Sequence, residues 1–305
     1  MDGLVGQLGA LGFVASSVEA IAGDASQRRF FRAVLDRGGT VVAALYPPDQ
    51  EAQAARDHAV QVWGWERRLP IPRPLALAGA LTVSEDIGGE DLDRAAPRLR
   101  EAVLAPALEA LAAFQRCAFG DLPTPPFDAA FFRRELAVFE DHALPPAARV
   151  RPDVASFLDG LAVALAAHPY RLVHRDFHFN NLILREGAVR AVDFQDMRGG
   201  PDTYDLASLL RERGGAALAA DEGVWGARAA AALGWAPGWE RRYLECAAQR
   251  GLKVVGTFLR LAAAGRREYL AWLPDVRARA ARALEALGAP AALREVVTGG
   301  TPEGL

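Results

Sequence analysis

The stretch Leu172-Val173-His174-Arg175-Asp176-Phe177-His178-Phe179-Asn180-Asn181-Leu182-Ile183-Leu184 sets polar side chains that are costly to bury between two apolar runs. Both asparagines of the chain, Asn180 and Asn181, and two of its five histidines lie in it. A second apolar run then ends in Val192-Asp193-Phe194-Gln195-Asp196. Two carboxylates and an amide at the ends of short strands suit phosphoryl transfer from a nucleotide. Mg²⁺ prefers oxygen ligands and takes few from protein, which makes Asn181 and Asp193 the candidate metal ligands. Asp176 is then the candidate base, orienting an acceptor hydroxyl and taking its proton as the phosphoryl group moves. With that position filled, His174 is expected to brace the loop. The competing reading is a core histidine beside acidic turn residues.

These residues need strands to hold them. Arg171–Val173, Leu182–Arg185 and Ala188–Val192 read as three short strands, the last two paired around Glu186-Gly187. Upstream, Leu4, Leu8 and Leu11 have helical spacing. Arg29–Leu35 and Thr40–Tyr46 form a hairpin around Asp36-Arg37-Gly38-Gly39. Pro47-Pro48 stops the second strand, and Asp49 is placed to cap a helix running to about Leu69. Leu75–Leu77 and Leu81–Ser84 read as another strand pair, followed by the polar connector Asp86-Ile87-Gly88-Gly89-Glu90. Residues 97–117, 128–142 and 152–168 are helical by periodicity, as is nearly everything after Thr203. The order predicts an α+β, bilobal chain: a small β-rich lobe over residues 1–86 and a large, mainly helical lobe over 87–305.

Composition narrows the classes. A net charge of -3 argues against a general nucleic-acid binder. No apolar segment is long and uninterrupted enough to span a bilayer, and no basic stretch leads into an apolar run at the N-terminus. Cys117 and Cys246 lie far apart and outside any CxxC pair, so neither a metal knuckle nor a redox motif is implied. The cytoplasm is the expected location. Lys253 is the only lysine, so almost all positive charge is arginine.

His174-Arg175-Asp176 with Asn181 five residues after the Asp, followed by Asp193-Phe194, resembles the catalytic loop and metal site of the protein-kinase-like fold. No Ala-Pro-Glu segment follows. Gly200-Pro201-Asp202-Thr203-Tyr204-Asp205-Leu206-Ala207 comes instead, which resembles the aminoglycoside-phosphotransferase and choline-kinase superfamily of small-molecule kinases. That resemblance assigns Asp205 a bracing role on the catalytic loop. Within it, Gly23-Asp24-Ala25-Ser26-Gln27-Arg28-Arg29-Phe30-Phe31-Arg32, Asp193-Phe194-Gln195-Asp196 and Gln249–Phe258 are similar to bacterial anomeric amino-sugar kinases. Those enzymes phosphorylate N-acetylmuramate and N-acetylglucosamine at C1 during cell-wall recycling.

The resemblance implies ATP and Mg²⁺ as cofactors and a small sugar as substrate, with neither nucleic acid nor membrane as partner. It places Asp24, Ser26, Arg28 and Arg29 over the ATP phosphates and offers the backbone at Glu85 and Ile87 to adenine, with Ile183 and Val192 against its faces. His178, Asn180, Asp196, Arg134 and Glu135 join Asp176 on the acceptor side, although a solvated helix face is the simpler role for the arginines. One departure stands out: Thr40–Tyr46 lacks the lysine that kinase-like enzymes use to hold phosphates. Arg28, Arg29 or Arg32 is expected to replace it. An aminoglycoside kinase, or a nucleotide-binding pseudokinase, remains the alternative.

Overall fold

The computed structural model describes residues 2–21, 27–212 and 222–299. Helix α1 (Asp2–Ala10) precedes strands β1 (Ala15–Ile21), β2 (Arg29–Leu35) and β3 (Thr40–Leu45). Helix α2 (Glu51–Glu66) follows, then β4 (Pro74–Ala78) and β5 (Leu81–Glu85). The five strands form one antiparallel sheet in the order β1-β2-β3-β5-β4. Alternation along β2 and β3 turns Phe31, Ala33, Val41 and Ala43 to one side, where they meet Leu81, Val83 and the Leu4 and Leu8 ridge of α1. Strand β1 was not legible in the sequence. It is a polar edge strand, Ala-Ser-Ser-Val-Glu-Ala-Ile, and the sheet supplies its reason to be extended. Asp49 does not cap α2: a 3₁₀ turn over Pro48–Gln50 leads in, and Gln50 holds the cap position without a side-chain bond.

After Glu85 the chain crosses to the second lobe. Strand β6 (Glu90–Asp91) leads into helix α3 (Leu92–Leu99), which contains Pro97 and which a 3₁₀ turn over Arg100–Val103 separates from α4 (Leu104–Arg116). The single helix expected over 97–117 is therefore two. Helices α5 (Ala129–His142), α6 (Pro146–Arg149) and α7 (Pro152–Ala166) come next. Strands β7 (Tyr170–Val173), β8 (Leu182–Arg185), β9 (Ala188–Ala191) and β10 (Arg198–Pro201) make two small ribbons, with β10 paired to β7 and β8 lying between β6 and β9. Helices α8 (Tyr204–Arg211), α9 (Glu222–Leu233), α10 (Trp239–Ala263), α11 (Leu273–Ala286) and α12 (Ala291–Thr298) complete the lobe. Among the described residues no helix is long and apolar enough to cross a membrane.

The architecture is α+β and bilobal. Polar ties join the lobes at the connector: Arg190 holds the Glu85 carboxylate at 2.7 and 2.9 Å and donates to Ile71 O, while Arg32 grips Asp86 at 2.6 Å. The large lobe is organised on α10, whose long apolar face packs α5, α8 and α11. Its closest approach is at Gly256, where a Cβ would stand 2.6 Å from Phe139 Cα. Gly256→Ala must push α5 and α10 apart, and a loss of about 1–3 kcal/mol is expected from overpacking. Urea unfolding checks this; an unchanged midpoint contradicts the close contact.

Candidate active site

Strand β7 ends at Val173, and the chain turns with Arg175 at φ +82°, a left-handed conformation that arginine rarely adopts. The turn is held from below. Asp205, in the first turn of α8 and fully buried, accepts from His174 N at 2.6 Å and Arg175 N at 2.9 Å, one on each oxygen. Burial pushes the Asp205 carboxyl up to about 7, against the pull of those two N–H groups. His174 is fully buried with its ring edge-on to Phe114 and Phe177, and burial lowers its pKa to about 4. Neutral at pH 7, it braces the turn. Phe177 and Phe179 are also fully buried, so they anchor the loop on either side of His178.

Asp176 and the two metal-ligand candidates come together over this anchor. Asn181 Nδ2 donates to Asp176 O at 3.0 Å, which fixes the amide so that its Oδ1 is the atom left to face a cation. Val192 N donates to Asn181 O at 2.8 Å, bringing the end of β9 alongside. Asp193 follows at φ +63°, and its Oδ1 accepts from Gln195 Nε2 and from Arg28 Nη2, both at 2.9 Å. Two oxygen-bearing side chains on adjacent backbone fit Mg²⁺, which leaves most of its shell to phosphate and water. Among the described residues no cluster of three His, Cys, Asp or Glu competes for a metal.

The surroundings of Asp176 are cationic. Arg250 Nη2 lies 3.5 Å from Asp176 Oδ1, its Nη1 donates to Arg175 O, and Glu212 holds the same guanidinium at 2.6 Å. Arg175 reaches Glu135 at 3.0 Å and Asp196 at 3.0 Å, and Lys253 Nζ lies 3.3 Å from Glu135. Burial alone pushes the Asp176 carboxyl up. The charges of Lys253, Arg250 and Arg175 overcome this and hold it well below the usual carboxylate range. Asp176 is thus ionised at any working pH. A third donor, Gln249 Nε2, is 2.8 Å from Glu135, so that carboxylate is engaged by protein from three sides.

The other predicted residues distribute unevenly. Asp24 and Ser26 fall outside the described residues. Of the three arginines offered for the missing lysine, Arg28 alone is seen to touch Asp193, the candidate metal ligand; Arg29 is exposed over the Phe31 ring and Arg32 is taken by Asp86. Ile183 and Val192 are half-buried beside Asn181, and Ile87 is buried with its carbonyl accepting from Arg185. Arg134 is exposed against the Phe131 ring. His178 Nε2 lies 3.5 Å from Asn181 Nδ2, and Asn180 Oδ1 is buried without a partner among the described residues.

Two participants were not singled out from sequence. Asp57 on α2 accepts from Tyr46 OH at 2.8 Å and lies 3.5 Å from Arg28 Nη1. Its signal was available: it falls in the buried stripe of α2 with Ala54, Gln61 and Gly64, where an unpaired carboxylate is costly. Arg250 carried the same signal inside α10, lying between Gln249 and Leu252 on a buried face.

The chain matches known proteins over most of its length. The model of the phosphotransferase enzyme family matches residues 17–244. An N-acetylmuramate/N-acetylglucosamine kinase of Pseudomonas aeruginosa is 31% identical over 258 residues, which span 78% of this chain and 75% of that protein. The protein of the same description from Neisseria meningitidis is 29% identical over 63% of this chain and 60% of its own length. Among solved structures, a thermostable mutant of aminoglycoside phosphotransferase APH(4)-Ia superposes with a TM-score of 0.66 at 19% identity, over 93% of this chain and 98% of that one. A choline/ethanolamine kinase family protein from Mesorhizobium loti gives 0.63 at 20% identity, covering 98% and 99%. The fold is thus the protein-kinase-like one.

The buried His174 makes an acid-stability prediction. Its folded pKa of about 4 lies below the ordinary 6.5, so between these values the unfolded chain binds a proton that the native state refuses. Stability is complete above pH 6.5 and falls as pH drops towards 4, by on the order of 3 kcal/mol from this residue. Urea titrations across that window are expected to show a shallower slope for His174→Phe than for the parent. Equal slopes would remove His174 from the account.

Proposed function

The chain belongs to the phosphotransferase enzyme family, and from that premise we propose that it is an ATP- and Mg²⁺-dependent kinase for the anomeric C1 hydroxyl of an amino sugar or hexose, such as N-acetylmuramate or N-acetylglucosamine, serving cell-wall recycling. The observation that carries the reading is the tie from Asn181 Nδ2 to Asp176 O beside Asp193. It joins a base to a pair of oxygen ligands on two hydrogen-bonded stretches of backbone. In this reading residues 1–86 hold the nucleotide and residues 87–305 the acceptor. Nucleotide use is supported by the fold relatives solved with ADP or AMP-PNP.

Asp176 accepts a hydrogen bond from the acceptor hydroxyl and aims its oxygen at the terminal phosphorus. Held ionised by Lys253, Arg250 and Arg175, it is a weak base. It therefore positions the hydroxyl first and takes the proton late, as the oxygen–phosphorus bond forms and the bond to the departing ADP breaks. A C1 hydroxyl suits such a base, because a hemiacetal is more acidic than an ordinary alcohol. Mg²⁺, held by Asn181 and Asp193, would neutralise charge on the phosphate oxygens.

The same cations support the acceptor class. An aminoglycoside is a polycation and calls for an acidic lining, whereas here Glu135 and Asp196 are paired with Arg175, and Glu135 also with Lys253. A neutral or carboxylate-bearing sugar meets no like-charge penalty. Asn180 Oδ1, buried without a partner among the described residues, is an acceptor that a sugar hydroxyl satisfies.

An ADP-release assay tests the reading. Turnover is expected with N-acetylmuramate or N-acetylglucosamine, none with the 1-deoxy analogue, and none with a cationic aminoglycoside. Asp176→Asn is expected to lower kcat by about 10²–10⁴-fold. Turnover of the 1-deoxy sugar, or of the aminoglycoside alone, contradicts it.

A further inference from the structure

The start of β2 delivers a cation to the place where strand β3 offers none. Arg28 stands just before Arg29, which pairs with Leu45 across the sheet, so it lies beside the residue after β3, Tyr46. Its guanidinium is stacked over the rings of Phe30 and Tyr46, at 5.4 and 5.8 Å, and its side chain is 15% exposed. One terminal nitrogen lies 3.5 Å from Asp57 Oδ2 on α2, and the other donates to Asp193 Oδ1 at 2.9 Å in the other lobe. Asp57 is itself fixed by Tyr46 OH at 2.8 Å and Gln53 Nε2 at 2.5 Å.

In kinase-like enzymes the phosphate-holding lysine of the third strand is positioned by a carboxylate on the helix that follows. The geometry points to Arg28 and Asp57 as a relocated version of that pair, with the cation moved from β3 to the start of β2. Tyr46 completes it by pinning the carboxylate. The inference rests on the kinase reading and adds a positioning residue to it. An arginine gains something a lysine could not: its planar fork contacts Asp57 and Asp193 at once, spanning helix and metal site with two nitrogens. Without nucleotide, Arg28 therefore occupies one oxygen of Asp193 and screens the negative charge of the metal site. With nucleotide bound, the nitrogen that now holds Asp193 turns to the phosphate oxygens, while Asp57 keeps the guanidinium in place.

Because Asp57 is 5% exposed, its charge is tolerable only with partners around it: Arg28, Tyr46 and Gln53, with Arg56 at 4.0 Å. Asp57 and Tyr46 thus act through Arg28, and their replacement should affect the nucleotide indirectly.

Calorimetric binding of AMP-PNP and of adenosine, each with Mg²⁺ present, separates phosphate holding from base binding without turnover. Arg28→Ala is expected to weaken AMP-PNP by at least threefold, and by about tenfold if the loss is near 1.4 kcal/mol. Adenosine affinity should stay within twofold. Arg28→Lys, which keeps the charge and loses the fork, should fall between the parent and Arg28→Ala, and Asp57→Asn should weaken AMP-PNP in the same direction. If Arg28→Ala does not fold, Arg28→Gln, which removes the charge but keeps a polar side chain with an N–H donor, serves as the neutral variant under the same thresholds. A loss under threefold for AMP-PNP, or a parallel loss for adenosine, overturns the inference. Parent protein that binds no AMP-PNP would instead overturn the kinase reading itself.

Discussion

Asp205 accepts two backbone N–H groups, from His174 and Arg175, where the chain leaves β7. Everything on the acceptor side depends on that buried carboxylate, because it closes a turn that Arg175 enters at φ +82°. Such a backbone persists only where its surroundings over-determine it. Here Asp205 holds the turn from one side, the fully buried rings of Phe177 and Phe179 hold the loop beyond it, and Arg250 reaches Arg175 O from α10. Asp193 is the second left-handed position of the site, at φ +63°, and its carboxylate is likewise held by two donors. The two carboxylates proposed for chemistry are thus set beside or on a strained backbone rather than on freely turning loops.

Charge is arranged with the same economy. Arg250 is buried, yet it is balanced by Glu212 and Asp176 and stacked on the Tyr204 ring. Glu135 is buried, yet Arg175, Lys253 and Gln249 surround it. Removing one member of such a network leaves an uncompensated charge, which costs more than the pair contributes. The network therefore ties α5 and α10 to the loop that carries Arg175 and Asp176. It also explains why the sole lysine of the chain sits on α10: Lys253 is one of the charges that keep Asp176 ionised.

Much of this was legible in the residues, and the gaps have physical causes. The spacing of Asp176 and Asn181 and the strand-terminal Asp193 depend on local backbone geometry, which sequence reports well. The hairpin of β2 and β3 announced itself through alternation and a Gly-Gly turn. Strand β10 did not, since Arg198-Gly199-Gly200-Pro201 has no strand propensity. Its extended form comes from pairing with β7 and from close packing that leaves no room for a Cβ at Gly200, 2.7 Å from the Phe127 ring and 2.8 Å from Val173 Cγ2. The Asp57, Arg28 and Asp193 chain was hidden for another reason. It joins α2, the start of β2 and the end of β9, and only the tertiary fold brings them together. Phe179, between His178 and the two asparagines, is fully buried core.

In the proposed reading all of this serves one event, transfer of a phosphoryl group to the hydroxyl that Asp176 faces. The most direct measurement is phosphorus NMR of the product made from ATP and N-acetylglucosamine labelled with ¹³C at C1. A C1-directed transfer gives a sugar phosphate whose phosphorus couples to the labelled carbon. A product phosphate with no such coupling, borne on C6 or another hydroxyl, would contradict it.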